Sequence, residues 1–203
     1  GLEWAISLPG TIGGAVRGNA GCFGGEMCDQ IKEIEVLRNA QIITIDSTQA
    51  CFAYRESAFK HNDDIILSAT FQLESADANV LIEELEKKLA SRKASQPLDA
   101  GSAGCLFKNY EVPDDETLQR LSSKLDIPSE MLSARRISAG WLIDQMDLKG
   151  KQIGGAKISE KHGNFVVNTG QATADHVMQL IAFVKTRARN EFNIHLQEEI
   201  QII

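Results

Sequence analysis

The hydrophobic period changes along the chain, and this change limits the fold classes available to it. Residues 31–37 alternate with a period of two, and a second apolar run at residues 42–45 follows Asn39-Ala40, which predicts a β-hairpin. A third strand is predicted at residues 64–73. From Asp77 onward the apolar residues keep a helical spacing, which predicts an amphipathic helix.

The second half of the chain contains the same mixture of elements. Helices are predicted at residues 115–125 and 139–146, and Thr173 is expected to cap a long helix with a 3.6-residue period. Strands are predicted at residues 165–167 and 194–203. Because helices and strands do not alternate strictly, the fold class is expected to be α+β.

A stretch rich in serine, glycine and proline separates the two halves. Residues 92–104, RKASQPLDAGSAG, have the composition of a linker. At roughly 100–200 residues per domain, a chain of this length holds one large domain or two small ones. We therefore predict two domains, residues 1–90 and residues 91–203.

The charge balance excludes several classes of partner. With 21 Lys and Arg against 28 Asp and Glu, the net charge is −7, so no basic field attracts nucleic acid or anionic membranes. No apolar run approaches the ~20 residues that span a bilayer, and no signal peptide is recognised. The four cysteines are irregularly spaced, which predicts reduced thiols in a cytoplasmic protein and no metal site.

Residues 1–25 are dense in glycine and almost uncharged. PGTIGG at residues 9–14 continues to RGNAG at residues 17–21, and it matches neither a Rossmann nor a Walker loop. Its backbone N–H groups could approach a pyrophosphate or a flat cofactor ring. Glycine density alone leaves cofactor contact and a tight structural turn as equal alternatives, and it argues against a helix interior.

Two motifs carry candidate reactive groups. YRESAFK at residues 54–60 places an aromatic ring beside a guanidinium, which suits a planar anion but also a surface salt bridge. SAGCLFKN at residues 102–109 places a cysteine three residues before a lysine. A thiol has a reference pKa near ~8.5, so this cysteine is either a possible proton donor or a small buried side chain.

Two later motifs contain polar side chains whose partners the sequence does not indicate. EKHGNFVVN at residues 160–168 could supply a polar pocket wall through His162 and Asn164, although an isolated histidine is more often structural. LQEEI at residues 196–200 places Glu198 and Glu199 on a predicted strand, where alternation sends one inward and one to solvent.

Taken in order, eight segments resemble the UDP-N-acetylenolpyruvoylglucosamine reductase family, flavoenzymes of bacterial peptidoglycan precursor synthesis. The resemblance covers essentially the whole chain. The segments are LPGTIGGAVRGNAGCFGGE, YRESAFK, RKASQP, SAGCLFKN, AGWLIDQMDLKG, GGAKISEKHGNFVVN, TADHVMQLI and LQEEI.

The resemblance implies a bound FAD, reduced by NADPH, whose hydride passes to carbon 3 of the enolpyruvyl ether of UDP-N-acetylglucosamine. The family's usual proton donor to carbon 2 is a serine, and Cys105 stands at the matching position. A thiol is a stronger acid than a hydroxyl, so the replacement suits the role. The resemblance also implies that Arg55 and Glu199 bind and polarise the enolpyruvyl carboxylate region.

The same matching assigns binding residues. Tyr54, Lys108 and Asn109 would face the substrate, and no metal is implied. Tyr110 stands where the family commonly has proline, and Gly163 where it commonly has alanine. The residues implied to line FAD are Gly10, Thr11, Gly13, Gly14, Ala15, Asn19 and Gly21.

The implied architecture is part of a two-subdomain FAD-binding fold followed by an α+β substrate-binding domain. Residues 1–90 would be the second FAD-binding subdomain, and the chain is expected to begin after the first one. A monomer is favoured. A catalytically silent, flavin-free module that binds the UDP-sugar, or an inactive fragment, is the alternative; an FAD-dependent oxidase is a weaker one.

Overall fold

The computed structural model describes residues 1–202. The chain forms two compact units, Gly1–Arg92 and a second one from Lys93 onward. Both contain helices together with antiparallel sheets, so the expected α+β class is confirmed.

The first unit is built on a three-stranded antiparallel sheet. The elements in chain order are α1 (Ile12–Arg17), β1 (Gly21–Cys22), β2 (Gly25–Glu26), β3 (Ile31–Arg38), β4 (Gln41–Asp46), β5 (Ile65–Phe71) and α2 (Ala78–Ser95), with single 3₁₀ turns at Glu3–Ala5, Met27–Asp29 and Ala58–Lys60. Strand β3 lies between β4 and β5, and the short strands β1 and β2 pair with each other.

The predicted hairpin is confirmed, and its turn has the geometry typical of two-residue hairpins. Asn39 and Ala40 join β3 to β4, and their φ angles are 50° and 61°. Two consecutive positive φ angles match the right-handed twist of the flanking strands. The sheet then packs Ile34, Val36 and Ile45 into a core completed by Trp4, Val16, Met27 and Phe59.

The glycine-dense segment is not free of helix, contrary to prediction. Gly13 and Gly14 lie inside α1. The helix forms because the Thr11 side chain caps it, its Oγ1 accepting a hydrogen bond from the Gly14 N–H at 3.1 Å. This cap offsets the low helix propensity of glycine over a helix of only six residues.

The helix predicted from Asp77 onward is present as α2, but its apolar stripe is not buried. Ile82 is 54% exposed, and among the residues of α2 only Arg92 is classed as buried. The helix continues to Ser95, and the next strand begins at Ser102. The linker predicted at residues 92–104 is therefore limited to residues 96–101.

The second unit contains a four-stranded antiparallel sheet and a two-stranded one. The elements are β6 (Ser102–Cys105), β7 (Tyr110–Glu111), α3 (Asp115–Ser122), α4 (Ser129–Ser133), β8 (Arg136–Ile137), α5 (Ala139–Gln145), β9 (Gln152–Ile153), β10 (Ala156–Ile158), β11 (Phe165–Asn168) and α6 (Ala174–Phe192). The order of the larger sheet is β6-β11-β10-β9, and β7 pairs with β8.

Helix α6 is confirmed as predicted. The Thr173 Oγ1 accepts a hydrogen bond from the His176 N–H at 3.2 Å, and Asn193 ends the helix in a left-handed conformation. Its buried side chains are Leu180, Ile181, Val184, Ala188 and Phe192, at the 3.6-residue spacing. They pack into one core with residues such as Leu106, Phe107, Leu142 and Ile158.

The strand predicted at residues 194–203 is wrong within the described residues, and Ile203 lies outside them. Only Glu198 forms a bridge, to Phe107. Ile194 and Leu196 are 0% and 3% exposed, so the apolar alternation reflects side chains entering the core without a continuous ladder. We refer to residues 194–202 as the terminal segment.

Candidate active site

Five of the cofactor candidates gather at the first turn of α1. They are Gly10, Thr11, Gly13, Gly14 and Ala15. Gly10 has φ 126°, and a Cβ placed on Gly10 or Gly13 would meet no atom within 4 Å. The first N–H groups of a helix have no acceptor inside it, and this end favours negative charge. The turn therefore presents backbone donors on an uncrowded surface.

Asn19, another cofactor candidate, uses its side chain within the protein. It is fully buried, and its Nδ2 donates to the Glu26 carboxylate at 2.8 Å and to the Ala53 carbonyl at 2.9 Å. Its Oδ1 accepts from the Cys28 N–H at 3.1 Å. The amide thus joins three segments, and the Asn19 backbone N–H also donates to the Val16 carbonyl at 3.1 Å, so this fully buried residue supports the local fold.

Arg55 lies in a two-residue turn beside the glycine segment. Tyr54 and Arg55 connect Ala53 to Glu56, whose backbones bond reciprocally at 3.1 and 3.0 Å. The Arg55 Nη2 donates to the Gly21 carbonyl at 2.5 Å, and its Cζ lies 5.1 Å from the centre of the Tyr54 ring. These contacts fix the guanidinium, a group suited to planar anions.

Glycine is the only residue type that fits at position 21, beside this guanidinium. A Cβ at position 21 would lie 2.7 Å from the Gly25 carbonyl oxygen and 3.0 Å from the Arg55 Nη1. The absence of a side chain therefore allows the close approach of Arg55 to the backbone. Gly21 and Arg55 were assigned to cofactor and substrate separately, and the structure brings them into contact.

Cys105 ends β6 opposite Phe165 of β11. Gly104 lies within β6, between Ser102 and Cys105 where the register against β11 shifts; it has φ 87°, and its N–H donates to the Ser102 Oγ at 3.2 Å. Cys105 is half-buried.

The terminal segment brings Glu199 to the same stretch of chain. The Glu199 N–H donates to the Leu106 carbonyl at 2.8 Å, and the Lys108 N–H donates to the Gln197 carbonyl at 2.9 Å. Residues 106–108 and 197–199 therefore run antiparallel. Cys105 directly precedes the first of these segments, Lys108 ends it, and Glu199 ends the second. The three residues therefore lie on two neighbouring backbone segments of the second unit, although Glu199 is far from the other two in sequence.

Asn109 and Asn164 take structural partners that the sequence did not reveal. The Asn109 Oδ1 accepts from the Ala139 N–H at 3.1 Å, at the start of α5. Asn164, which we expected in a pocket wall, is 3% exposed and bonds to the backbone of Leu106 and Phe107. No local signal in the sequence identifies these partners.

His162 is a packed residue. Burial, and then the charge of Lys149, lower the pKa of His162 below its ordinary value of 6.5. Its ring packs edge-on against Phe165 at 4.9 Å, and its Nδ1 accepts from the Asn164 N–H at 3.2 Å. The contacts support the structural interpretation of this histidine.

Glu198 forms an ion pair. Its carboxylate lies 2.7 Å from the Lys185 Nζ of α6. Partial burial alone would raise the pKa of Glu198, but the hydrogen bond and the charge of Lys185 outweigh it and lower the pKa. Glu198 and Glu199 are both half-buried, so the predicted division into one inward and one solvated glutamate is not seen.

The site residues thus form two groups. Tyr54 and Arg55 belong to the first unit with the glycine segment, while Cys105, Lys108, Asn109 and Glu199 belong to the second. Within residues 1–202, no cluster of three or more His, Cys, Asp and Glu side chains is arranged to hold a metal ion. None of the helices described has the length and apolar character needed to cross a membrane.

Comparison with known proteins supplies three findings. The model of the UDP-N-acetylenolpyruvoylglucosamine reductase C-terminal domain matches residues 96–203. The UDP-N-acetylenolpyruvoylglucosamine reductase of Pseudothermotoga lettingae is 36% identical over 202 residues, which cover 100% of this chain and 63% of that protein. The protein of the same name from Chlamydia abortus is 38% identical over 204 residues, covering 100% of this chain and 60% of that protein.

A solved structure agrees with these sequences. The crystal structure of UDP-N-acetylenolpyruvylglucosamine reductase from Thermus caldophilus superposes with a TM-score of 0.76 at 32% identity. The match covers 99% of this chain and 63% of that one. The chain therefore spans 60–63% of the length of these relatives.

Proposed function

Because this chain belongs to the UDP-N-acetylenolpyruvoylglucosamine reductase family, we propose that it carries the substrate-reducing centre of such an enzyme. The reaction is the reduction of UDP-N-acetylglucosamine enolpyruvate to UDP-N-acetylmuramate in the cytoplasm, for peptidoglycan synthesis. FAD, when bound, supplies the hydride that it has received from NADPH.

The observation that carries the proposal is the antiparallel pairing of residues 106–108 with residues 197–199. It places the backbone of Glu199 next to the residue that follows Cys105. Two groups separated by most of the second unit in sequence therefore occupy one region of it. A reaction that adds a hydride to one carbon and a proton to the next needs such a convergence of an acid with a charged partner.

The residues of the first unit fit an FAD molecule. The first turn of α1 offers backbone N–H groups, and Gly10 and Gly13 leave space where a Cβ would otherwise project. Backbone donors at a helix N-terminus suit a pyrophosphate. Gly10, Thr11, Gly13, Gly14, Ala15 and Gly21 would contact the cofactor, with Asn19 contributing through the segments that its side chain joins.

Each reacting side chain has a defined task. Cys105, a half-buried residue, delivers the proton to carbon 2, since a thiol is a stronger acid than the hydroxyl that the family usually has there. Arg55 and Glu199 bind and polarise the enolpyruvyl carboxylate region, which stabilises the negative charge that develops after hydride addition. Tyr54, Lys108 and Asn109 complete the substrate contacts, with the Asn109 side chain also bonded to the start of α5.

The test uses an extended protein, in which this chain is joined to the additional N-terminal FAD-binding subdomain that the family resemblance implies. NADPH oxidation is followed by absorbance, and the product is identified by mass spectrometry. We expect oxidation to depend on the enolpyruvyl substrate and the product to gain one hydride and one proton. Binding of the UDP-sugar without flavin colour or NADPH oxidation would support a silent binding module instead.

A further inference from the structure

Asn164 makes three hydrogen bonds to two consecutive residues. Its backbone oxygen accepts from the Leu106 N–H at 2.8 Å. Its side-chain Oδ1 accepts from the Phe107 N–H at 3.0 Å, and its Nδ2 donates to the Phe107 carbonyl at 2.8 Å. At 3% exposure, the carboxamide is shielded from water. It therefore satisfies both backbone groups of the fully buried Phe107.

The opposite edge of the same segment carries the terminal segment. The Leu106 carbonyl accepts from the Glu199 N–H at 2.8 Å, and the Lys108 N–H donates to the Gln197 carbonyl at 2.9 Å. Residues 106–108 are thus bonded on one edge to Asn164 and on the other to residues 197–199. Cys105 precedes this stretch, so a shift of the stretch would displace Cys105 and Glu199 together.

We propose that Asn164 is a positioning residue that sets the placement of Cys105 and Glu199 for proton delivery. The proposal rests on the function proposed above. A carboxamide suits this role, because this short side chain presents a donor and an acceptor in one plane to the N–H and C=O of a single residue without depending on pH. The Asn164 backbone N–H donates to the His162 Nδ1 at 3.2 Å, which binds Asn164 to the turn that precedes β11.

The decisive variant is Asn164→Asp, which keeps the shape of the side chain. When ionised, this carboxylate still accepts from the Phe107 N–H but faces the Phe107 carbonyl without a proton to donate. When protonated, it can donate and accept as the carboxamide does. Activity relative to wild type should therefore recover as the pH falls, since burial favours the neutral form of the carboxyl group.

We measure the two half-reactions in the extended protein between pH 5.5 and 8.5. At high pH, Asn164→Asp should reduce the enolpyruvyl substrate about 100-fold more slowly, the loss typical of a misplaced reacting group. This loss should fall at least tenfold at low pH, while flavin reduction by NADPH stays within twofold of wild type. His162, Cys105, Glu198 and Lys185 are common to both proteins, so the ratio reports on position 164.

Two further variants complete the set. Asn164→Ala should lose substrate reduction at every pH, because it cannot regain the bonds to Phe107. Asn168→Asp is the matched control on β11, since Asn168 is exposed and its Oδ1 accepts from the Gly170 and Ala172 N–H groups, as a carboxylate also can. It should behave as wild type. Melting curves at each pH restrict the comparison to fully folded protein.

A second measurement does not depend on activity. In this chain, the alkylation rate of Cys105 should change at least threefold in Asn164→Asp at high pH. Cys22, Cys28 and Cys51, which lie in the first unit, serve as internal standards and should not change.

Three results would overturn the proposal: an Asn164→Asp protein with wild-type kinetics at all pH values, equal losses in both half-reactions, or unchanged alkylation of Cys105. If the wild-type extended protein does not reduce the substrate, the proposed function fails. The alkylation rate alone then decides whether Asn164 positions Cys105.

Discussion

At the scale of single residues, the arrangement around Arg55 shows how backbone and side chain combine. Arg55 has φ 54°, a left-handed conformation that costs an ordinary residue roughly 1–2 kcal/mol. The Lys60 Nζ donates to the Arg55 carbonyl at 2.7 Å, and the Asn19 Nδ2 donates to the neighbouring Ala53 carbonyl. These bonds hold the turn, so the guanidinium reaches Gly21 without further rearrangement.

Substitution of the carboxylate-binding pair tests their proposed role. In the extended protein, Arg55→Ala or Glu199→Gln should spare flavin reduction by NADPH and slow reduction of the enolpyruvyl substrate. Loss of one preorganised electrostatic partner costs about 3–4 kcal/mol of transition-state stabilisation, or 10²–10³-fold in rate. Stopped-flow traces of both half-reactions give the answer. Equal slowing of both would assign these residues to folding or flavin binding.

Three asparagines show where prediction from sequence reaches its limit. Asn19 and Asn109 were assigned to ligands and Asn164 to a pocket wall, but their side chains bond to Ala53, Ala139 and Phe107. These partners lie 34, 30 and 57 residues away in sequence. A carboxamide binds a backbone group and a ligand through the same atoms, so only the fold distinguishes the two uses.

At the scale of elements, the sequence predicted well those helices and strands that are long enough for their hydrophobic pattern to repeat. The β3–β4 hairpin and helix α6 follow from residue periodicity and from their turn and cap residues. Strands β9 and β10, of two and three residues, are too short to show a period and were missed. The pairing of the terminal segment with residues 106–108 depends on the packed core, which no local pattern describes.

The β3–β4 turn gives a stability prediction. Ala40 has φ 61°, a conformation that glycine adopts without steric cost, so Ala40→Gly should raise the free energy of unfolding by about 0.5–1 kcal/mol. Ala90→Gly, in the exposed part of α2, is the matched control and should lower it by a similar amount. Urea unfolding of both variants measures the two differences. A destabilised Ala40→Gly protein would contradict the turn assignment.

The terminal segment gives a pH prediction through the Glu198–Lys185 pair. The pKa of Glu198 is lowered in the folded protein, so the pair stabilises the fold above the ordinary value of 4.5. This stabilisation is lost as the pH falls through the folded pKa. Glu198→Gln should therefore lower the unfolding free energy at pH 7 by at most about 1 kcal/mol, and the difference should shrink as the pH falls below 4.5 and vanish below the folded pKa.

The exposed Glu86→Gln, in the interior of α2, controls for the loss of a charge in this experiment. It should leave the free energy of unfolding unchanged at both pH values. A difference between wild type and Glu198→Gln that persists at low pH would mean that the residue acts through packing.

At the scale of the whole molecule, the residues with proposed roles are divided between two units. The first carries the glycine segment and Arg55, and the second carries Cys105, Glu199 and the backbone pairing that joins their segments. The family resemblance predicted this allocation of residues from motif order. What the resemblance could not supply is the set of internal bonds, such as those of Asn19 and Asn164, that hold these segments together.

The central claim is that Cys105 delivers the proton that completes reduction of the substrate. Hydrogen exchange in deuterated water, measured with the extended Cys105→Ala protein and reduced flavin, tests it most directly. We predict that the substrate gains deuterium at carbon 3 while almost no product forms, since hydride addition reverses without its proton donor. Cys105→Ser should form product at a substantial rate. Product formation by Cys105→Ala at a near-native rate would contradict the account.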